Sequence, residues 1–443
     1  MKICFLMYQG NMFSGGQGIY LYYLTRELAR LGHEVHVIAG PPYPTLDDGV
    51  VSHDLETHSF WSYHHYKRNF LFERHPLTHF HPVNFYELVS TRIALSSLLL
   101  SFSVRAYVKL NELARHHHFD IIHDNQTLSY GTLLMQASGY PVVGTVHHPL
   151  SVDLRNSLAQ SASLYERARR LLWYPWIMQE VTTRRLDRVI TVSHTSAAAV
   201  ERAFHLPREK LRVVHNGIDH ETFRPLPDVE EEPGAILYVG NSEDRNKGGR
   251  YLIEALRLLR DEMDFHLTLV DQKKSNLKLV PRLVREYGLQ ARVTFAGRVP
   301  REELVRLYNR AELVVSPSLY EGFGLPAAEA MSCGRAVIAT TAPAFPEVID
   351  HAETGWLVPP ADAVALAGAI RMLHEDPSLR RKLGENGSRA IRERFDWRRA
   401  AEQTLAVYEE VRRHVPGPPR HRPESSNLGT LELPPSGEPV QGS

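Results

Sequence analysis

The sequence predicts an α/β protein made of two doubly wound, Rossmann-like parallel-sheet domains that face each other across a cleft. Three observations lead there. The chain has 443 residues, more than one hydrophobic core ordinarily serves, so two domains are expected. Short β-branched runs alternate with amphipathic helical segments, the pattern of strands joined by crossover helices. That alternating series occurs twice, with a polar connector rich in proline and glutamate between the two.

The first series opens with the apolar strand "KICFLMY" and the turn "SGGQG". A helix, "IYLYYLTRELARLG", follows and stops at Gly32, a glycine placed just beyond its end. The strands "HEVHVIAG", "FDIIHD", "YPVVGTVHH", "LDRVITVS" and "LRVVHNGID" continue it. Residues 50–90 break the pattern with many His, Tyr and Phe and few regular signals, and read as an insertion or mobile loops at the mouth of the first domain. Asn216-Gly217 marks a turn, and the stretch to residue 234 reads as connector. The second series runs through "AILYVG", "GGRYLIEALRLLRD", "FHLTLVD", "LVREYGL", "RVTFAG", "EELVRLYNRA", "LVVSPS", "LPAAEAMSCG" and "RAVIAT". The expected domains are 1–215 and 216–395, with an amphipathic final helix at 396–414 crossing back onto the first. Residues 415–443 hold seven prolines, four glycines and few large apolar side chains, and predict a disordered tail.

Composition narrows the class of partner. A formal net charge of zero argues against a general nucleic-acid binder. Two cysteines in so long a chain make a disulfide framework implausible and point to a reducing, cytoplasmic setting. The apolar N-terminus lacks the pattern of a secretion signal. The most apolar later run, residues 93–104, is too short and too rich in serine to span a bilayer.

Parallel sheets bind ligands beyond the carboxyl ends of their strands, so the chemistry is sought just after strands. In "SPSLYEGFGLPAAEAMSCG" (316–334), Glu321 lies in a strand-to-helix loop and Glu329 about one turn inside the helix that Pro326 helps to start. Gly322 and Gly324 between them let backbone N–H groups approach a ligand, and a helix N-terminus favours an anion. Donated N–H groups suit phosphate and carboxylates suit hydroxyls, so the arrangement fits a phosphorylated polyol with hydroxyls at both ends, a nucleotide sugar. A first-turn helix acid beside a solvated loop acid is the plain alternative for the two glutamates taken alone.

The blocks around them decide between these readings. "EGFGLPAAEA" resembles the signature of the retaining glycosyltransferases of the family 4 type (glycosyltransferase group 1), which have the GT-B fold. The resemblance extends to about residue 413 through the glycine turn after the first strand, "GTVHHP", "VITVS", "VVHNGID", "YVG…KGGRYLIEAL" and "VTFAGRVPREELVRLYNRAELVVSPS". It implies that Glu321 contacts donor-sugar hydroxyls, that Glu329 binds the ribose, and that the N–H groups of Phe323, Gly324 and Leu325 cradle the diphosphate. It implies that Lys247, in "GNSEDRNKGG", neutralises the leaving diphosphate, and that the backbone at Arg298 and Val299 meets the base. Gly15 and Gly16 match the first-domain glycine turn, and His147 matches a histidine that approaches the donor sugar. One departure stands out: where the family usually has an arginine six residues before the lysine, this chain has Asn241, with Arg245 nearby.

The implied reaction moves a hexose-like sugar from a UDP- or GDP-linked donor to a glycan, lipid-linked or small-molecule acceptor, with retention of configuration and without cofactor or divalent metal. Cell-envelope polysaccharide or glycolipid synthesis is the expected setting. Two other readings stay open: another GT-B enzyme, such as a sugar-nucleotide epimerase or a phosphorylase, and a non-catalytic nucleotide-sugar sensor motivated by Asn241. A nicotinamide enzyme is disfavoured, because "GGQGIYL" lacks the third small residue of that fingerprint and the second strand ends without an acid. "HHH" at 116–118 and His64-His65 suggest no metal site, since adjacent histidines point apart and no spaced acid or cysteine completes a set. Residues 164–179 mix Arg167, Arg169 and Arg170 with Trp173, Tyr174 and Trp176. They read either as a contact with an anionic membrane at its inner face or as a helix covering the first domain's core.

Overall fold

The structure is a computed structural model; it describes residues 1–10, 16–56, 82–92, 98–151, 154, 158, 163–173, 175–271 and 277–415. Gly15, the His64-His65 pair, Tyr174 and the tail from residue 416 lie outside these, and of Arg169 and Trp173 only the backbone is described.

Seven parallel strands form the first sheet: β1 (Lys2–Met7), β2 (Glu34–Ala39), β3 (Val50–Asp54), β4 (Ile121–Asn125), β5 (Val142–Val146), β6 (Arg188–Thr191) and β7 (Leu211–Val213), in the order β3-β2-β1-β4-β5-β6-β7. Six more form the second: β8 (Ala235–Val239), β9 (His266–Val270), β10 (Val293–Gly297), β11 (Leu313–Ser316), β12 (Ala336–Thr340) and β13 (Trp356–Val358), in the order β10-β9-β8-β11-β12-β13. Helices cover both sheets, as the apolar strands require: β4, β5 and β12 are buried along their whole length.

In each sheet the strand order reverses once, between β1 and β4 and between β8 and β11. Connections leave in opposite directions at such a point and open a crevice beyond the strand ends. The loops after β1 and β5 on one side, and after β8, β10 and β11 on the other, lead into the residues singled out above.

At its two ends the segment 50–90 differs from the insertion or mobile loops expected of it, while residues 57–81 lie outside the described residues. Val50–Asp54 is the edge strand of the first sheet, in register with Val35–Ala39, and Pro82–Arg92 is a helix. Only Val50 of that strand is buried, so its side chains carry almost no apolar alternation to read.

The final helix, Trp397–His414, starts at Asp396, whose carboxylate accepts from the Arg399 N–H. It leaves the second sheet and packs on the first. Trp397 stacks on Tyr23 with ring centroids 5.3 Å apart, and fully buried Tyr408 hydrogen-bonds His123 on β4 at 2.5 Å. Glu410 accepts from Arg188, the first residue of β6, and from Arg212, the middle residue of β7. Where the outgoing and returning chains pass, any Cβ at Gly217 would collide with the Asp396-Trp397 backbone.

Candidate active site

Lys247 and Glu321 leave adjacent strands of the second sheet and meet. Lys247 closes a short 3-10 turn after β8, capped by Asp244, and Glu321 lies in the loop after β11. The Lys247 Nζ donates to Glu321 Oε1 at 2.7 Å, and Ser318 Oγ donates to the same oxygen at 2.9 Å. Burial lowers the lysine's pKa, but the charge and hydrogen bond of Glu321 and the charge of Asp244 outweigh it, so the net shift is upward and the ammonium stays charged.

The glycine loop then turns into the helix Leu325–Ser332. Gly324 sits at φ +94° against the ring of Phe345, a conformation and a spacing that only glycine meets. Among the described residues the N–H groups of Phe323, Gly324 and Leu325 have no backbone acceptor. They flank Glu321 at a helix N-terminus, the setting that receives a phosphate.

Glu329 is one turn further in, buried, and accepts from the Tyr308 hydroxyl at 2.9 Å. Burial pushes its carboxyl up to about 7; Tyr308 and the nearby Arg301 guanidinium pull down and Asp219 pushes up. Arg301 joins the two domains here. It lies 3.5 Å from Asp219, whose carboxylate accepts from the Tyr23 hydroxyl at 2.9 Å, and its guanidinium covers the rings of Tyr23 and Phe223.

His147 follows β5 and is held from two sides by Asn125, the last residue of β4, and Gln126, which follows it. Gln126 Oε1 accepts the His147 N–H at 2.6 Å, and Gln126 Nε2 donates to the His148 carbonyl at 2.7 Å. Asn125 Oδ1 faces His147 Nε2 at 2.8 Å, while the Asn125 amide NH2 points to the Gln17 carbonyl and to Met7. That orientation makes Nε2 the donor and leaves Nδ1 as the ring's acceptor. Burial, with the neighbouring His148 charge, lowers the pKa of His147 to about 3, so the ring is neutral at neutral pH. Gln126 itself takes φ +68°, a strained setting that this clamp sustains.

The two domains touch beside this site. Ser196 Oγ bridges the carbonyls of His147 and Gly322, at 3.2 and 3.3 Å. Glu347, after β12, accepts the N–H groups of His194 and Thr195 at 2.8 and 2.7 Å and the Thr195 hydroxyl at 2.6 Å. Burial raises the Glu347 pKa, but these bonds and one from His215 bring it down to about 2. Gly16, first residue of the helix after β1, faces Leu325: a Cβ there would stand 3.4 Å from the leucine methyl. The opposed helix N-termini thus line one crevice.

The remaining expected residues are more peripheral. Asn241 is exposed and its side chain caps the Glu243 N–H at 3.2 Å; Arg245 is exposed as well. Arg298 is exposed, and Val299 is half-buried against the core at the end of β10. Ser318, Tyr308, Arg301, Asn125, Gln126, Ser196 and Glu347 carried no signal in the sequence. They are ordinary polar residues on helices, in loops and, for Asn125, at a strand end, and only the fold brings them in. The same holds for His117, where folding supplies the acid that spacing lacked: Glu34 and His36 on β2 come beside it.

Comparison with known proteins fits this geometry. Residues 14–222 match Glycosyltransferase Family 4, and residues 219–390 match Glycosyl transferases group 1. An MMP alpha-(1->4)-mannosyltransferase of Mycolicibacterium hassiacum is 35% identical over 420 residues, covering 93% of this chain and 98% of the relative. The chain belongs to the family 4 glycosyltransferases. A D-inositol 3-phosphate glycosyltransferase of Pseudarthrobacter chlorophenolicus is 31% identical to this glycosyltransferase over 337 residues, 72% of the chain and 77% of the relative. The sucrose-phosphate synthase of Thermosynechococcus elongatus superimposes with a TM-score of 0.71 at 26% identity, over 94% of this glycosyltransferase and all of that chain. The paired sheets are those of the GT-B fold. Among the described residues of the glycosyltransferase, no helix is long and apolar enough to cross a membrane.

Proposed function

We propose that this glycosyltransferase moves a mannosyl group from a nucleoside diphosphate donor to a glycan hydroxyl with retention of configuration. In this reading the donor sits on residues 216–395 and the acceptor on 1–215, the first-domain portion onto which the final helix packs. The carrying observation is the Lys247–Glu321 pair at 2.7 Å beside the open N–H groups of Phe323, Gly324 and Leu325.

A diphosphate entering that loop meets three N–H donors and the Lys247 ammonium. The lysine then shifts its charge towards the phosphate, which frees Glu321 to accept sugar hydroxyls. Glu329 accepts the ribose hydroxyls one helical turn away, and the backbone at Arg298 and Val299 faces the base. His147 Nδ1 accepts from a sugar hydroxyl. As the glycosidic bond breaks, negative charge grows on the diphosphate, where Lys247 and the N–H groups stabilise it most. The departing oxygen takes the acceptor's proton on the same face, so no side chain forms a bond to the sugar. The mannosyl choice rests on the name of the 35% identical relative, which spans nearly both chains.

Melting curves with GDP-mannose, UDP-glucose and ADP-glucose test the donor, since a ligand of the native state raises the transition. The largest shift is expected with GDP-mannose, followed by transfer to an oligomannoside with an α-linked product by NMR. A β-linked product, or a shift with the glucosyl donors alone, overturns this reading. Asn241, exposed where the family usually has an arginine, supports one other: a donor sensor, which would bind tightly and not turn over.

A lipid-linked acceptor suits a further part of the proposal, that residues 164–179 touch an anionic membrane. Leu164 and Tyr165 are 81% and 78% exposed on the helix Leu164–Trp173. Of the three arginines, Arg167 is exposed, whereas Arg170 donates to Glu166 at 2.6 Å.

A further inference from the structure

Two clusters among the described residues bring three histidine and carboxylate ligand atoms within 4.8 Å of one another. In the first, Glu34, His36 and His117 at the amino ends of β1 and β2, a cation is already present. The Lys2 ammonium stands 2.9 Å from Glu34 Oε1 and 3.0 Å from His117 Nδ1. That cluster is a satisfied ion pair.

The second has no such ammonium. His194 begins the helix after β6, His215 follows β7, and Glu347 follows β12 in the other domain. The His215 Nε2 and Glu347 Oε2 are 3.3 Å apart, and the His194 and His215 rings are 5.6 Å apart between centroids. A zinc ion with bonds of about 2.0–2.2 Å sets its ligand atoms roughly 3.3–3.5 Å apart. The carboxylate is oriented in advance, because the Thr195 N–H and hydroxyl hold one oxygen and the His194 N–H takes one lone pair of the other. His194 is exposed and gives an entry path. Neither imidazole makes a side-chain hydrogen bond other than that of His215 to Glu347 among the described residues, so coordination costs only that bond and a tautomer change that puts the His215 proton on Nδ1.

We propose that His194, His215 and Glu347 form a site for a transition-metal dication such as Zn2+, and that the bound ion pins the two domains together at the edge of the cleft. Ligands from both sides of the seam make the ion a staple. The His215 ring is 6.3 Å from that of Phe323, so the staple lies beside the glycine loop. Binding there holds the cleft closed and slows release of products, whereas the metal-free enzyme turns over freely. Oxygen-seeking Mg2+ is a poor fit to two imidazoles.

The test is a Co2+ titration of the chelator-treated full chain, read by its visible bands, with Zn2+ melting curves in parallel. One equivalent should bind with the intense bands of four- or five-coordination, and Zn2+ should raise the melting temperature where Mg2+ does not. His194→Asn and His215→Asn should each weaken Co2+ binding at least tenfold and abolish the Zn2+ shift, while melting like the wild type without metal. His117→Asn controls for the other cluster and should change neither readout. Absence of wild-type binding overturns the proposal, as does binding that survives in the first two variants or disappears in the third.

Discussion

Lys247 Nζ and Glu321 Oε1 are 2.7 Å apart although 74 residues separate them in the chain. Each comes from a loop at the point where the second sheet reverses its strand order, and each compensates the other's charge while no donor is bound. Lys247→Ala removes both the counter-charge and a donor to the leaving diphosphate. The expected loss in kcat/KM is about 100- to 1,000-fold, as for loss of a preorganised electrostatic donor. Steady-state kinetics, with a melting curve to confirm folding, measures it.

Glu329 links donor binding to pH. Its pKa is raised from 4.5 to about 7 by burial, so in the empty protein it holds a proton that the unfolded chain has lost. Stability from this group is therefore greatest at acid pH and falls as pH rises from about 4.5 to about 7, by roughly 3 kcal/mol in all. Glu329→Gln should remove that slope in denaturation at pH 5 and pH 8. Ribose hydroxyls favour the ionised form, so nucleotide affinity should rise with pH up to about 7 and binding should release a proton below that. Calorimetry in buffers of different ionisation heat checks the release, and the Gln variant should show none.

The returning helix packs on the first sheet and the helix after β1. Trp397 is buried against Tyr23 and Tyr20, and Trp397→Ala should cost about 3–5 kcal/mol in chemical denaturation. Tyr408→Phe leaves the buried His123 Nδ1 without its partner, while Nε2 keeps Thr145, and should cost about 1–3 kcal/mol. Ending the chain at Val415 should alter neither stability nor donor binding.

The fold was legible because parallel strands advertise themselves. Val142–Val146 and Ala336–Thr340 are buried along their length and mostly apolar, and the helices between show a buried face. The edge strand Val50–Asp54 did not, since one buried residue in five gives no period. Within the site, Glu321, Gly324 and Glu329 were legible because they share one short strand-loop-helix segment. Their partners were not. Tyr308 reaches Glu329 across 21 residues and Thr195 reaches Glu347 across 152, distances over which sequence spacing carries no geometry. Gln126 escaped for a further reason: its clamp on His147 and His148 depends on a backbone at φ +68°, which no composition signals.

The proposed membrane contact would rest more on Leu164 and Tyr165 than on Arg170. Leu164 and Tyr165 present their side chains to solvent, while Arg170 is engaged by Glu166. Replacing Leu164 and Tyr165 with glutamate should abolish sedimentation with anionic liposomes at low salt. Arg170→Gln should reduce it less than twofold. Wild-type protein that stays in the supernatant removes the membrane from the account.

In the proposed reaction Glu321 reads the sugar and Glu329 the ribose. Calorimetric titration of wild type, Glu321→Gln and Glu329→Gln, each with GDP and with GDP-mannose, and with UDP and UDP-glucose, tests it most directly. Glu321→Gln should bind the free nucleoside diphosphate as the wild type does and lose only the additional affinity that the sugar brings. Glu329→Gln should weaken nucleotide and nucleotide sugar alike, by about tenfold or more for a lost hydrogen bond to a charged group. The opposite pattern, or wild-type affinities in both variants, would refute that division of roles between Glu321 and Glu329.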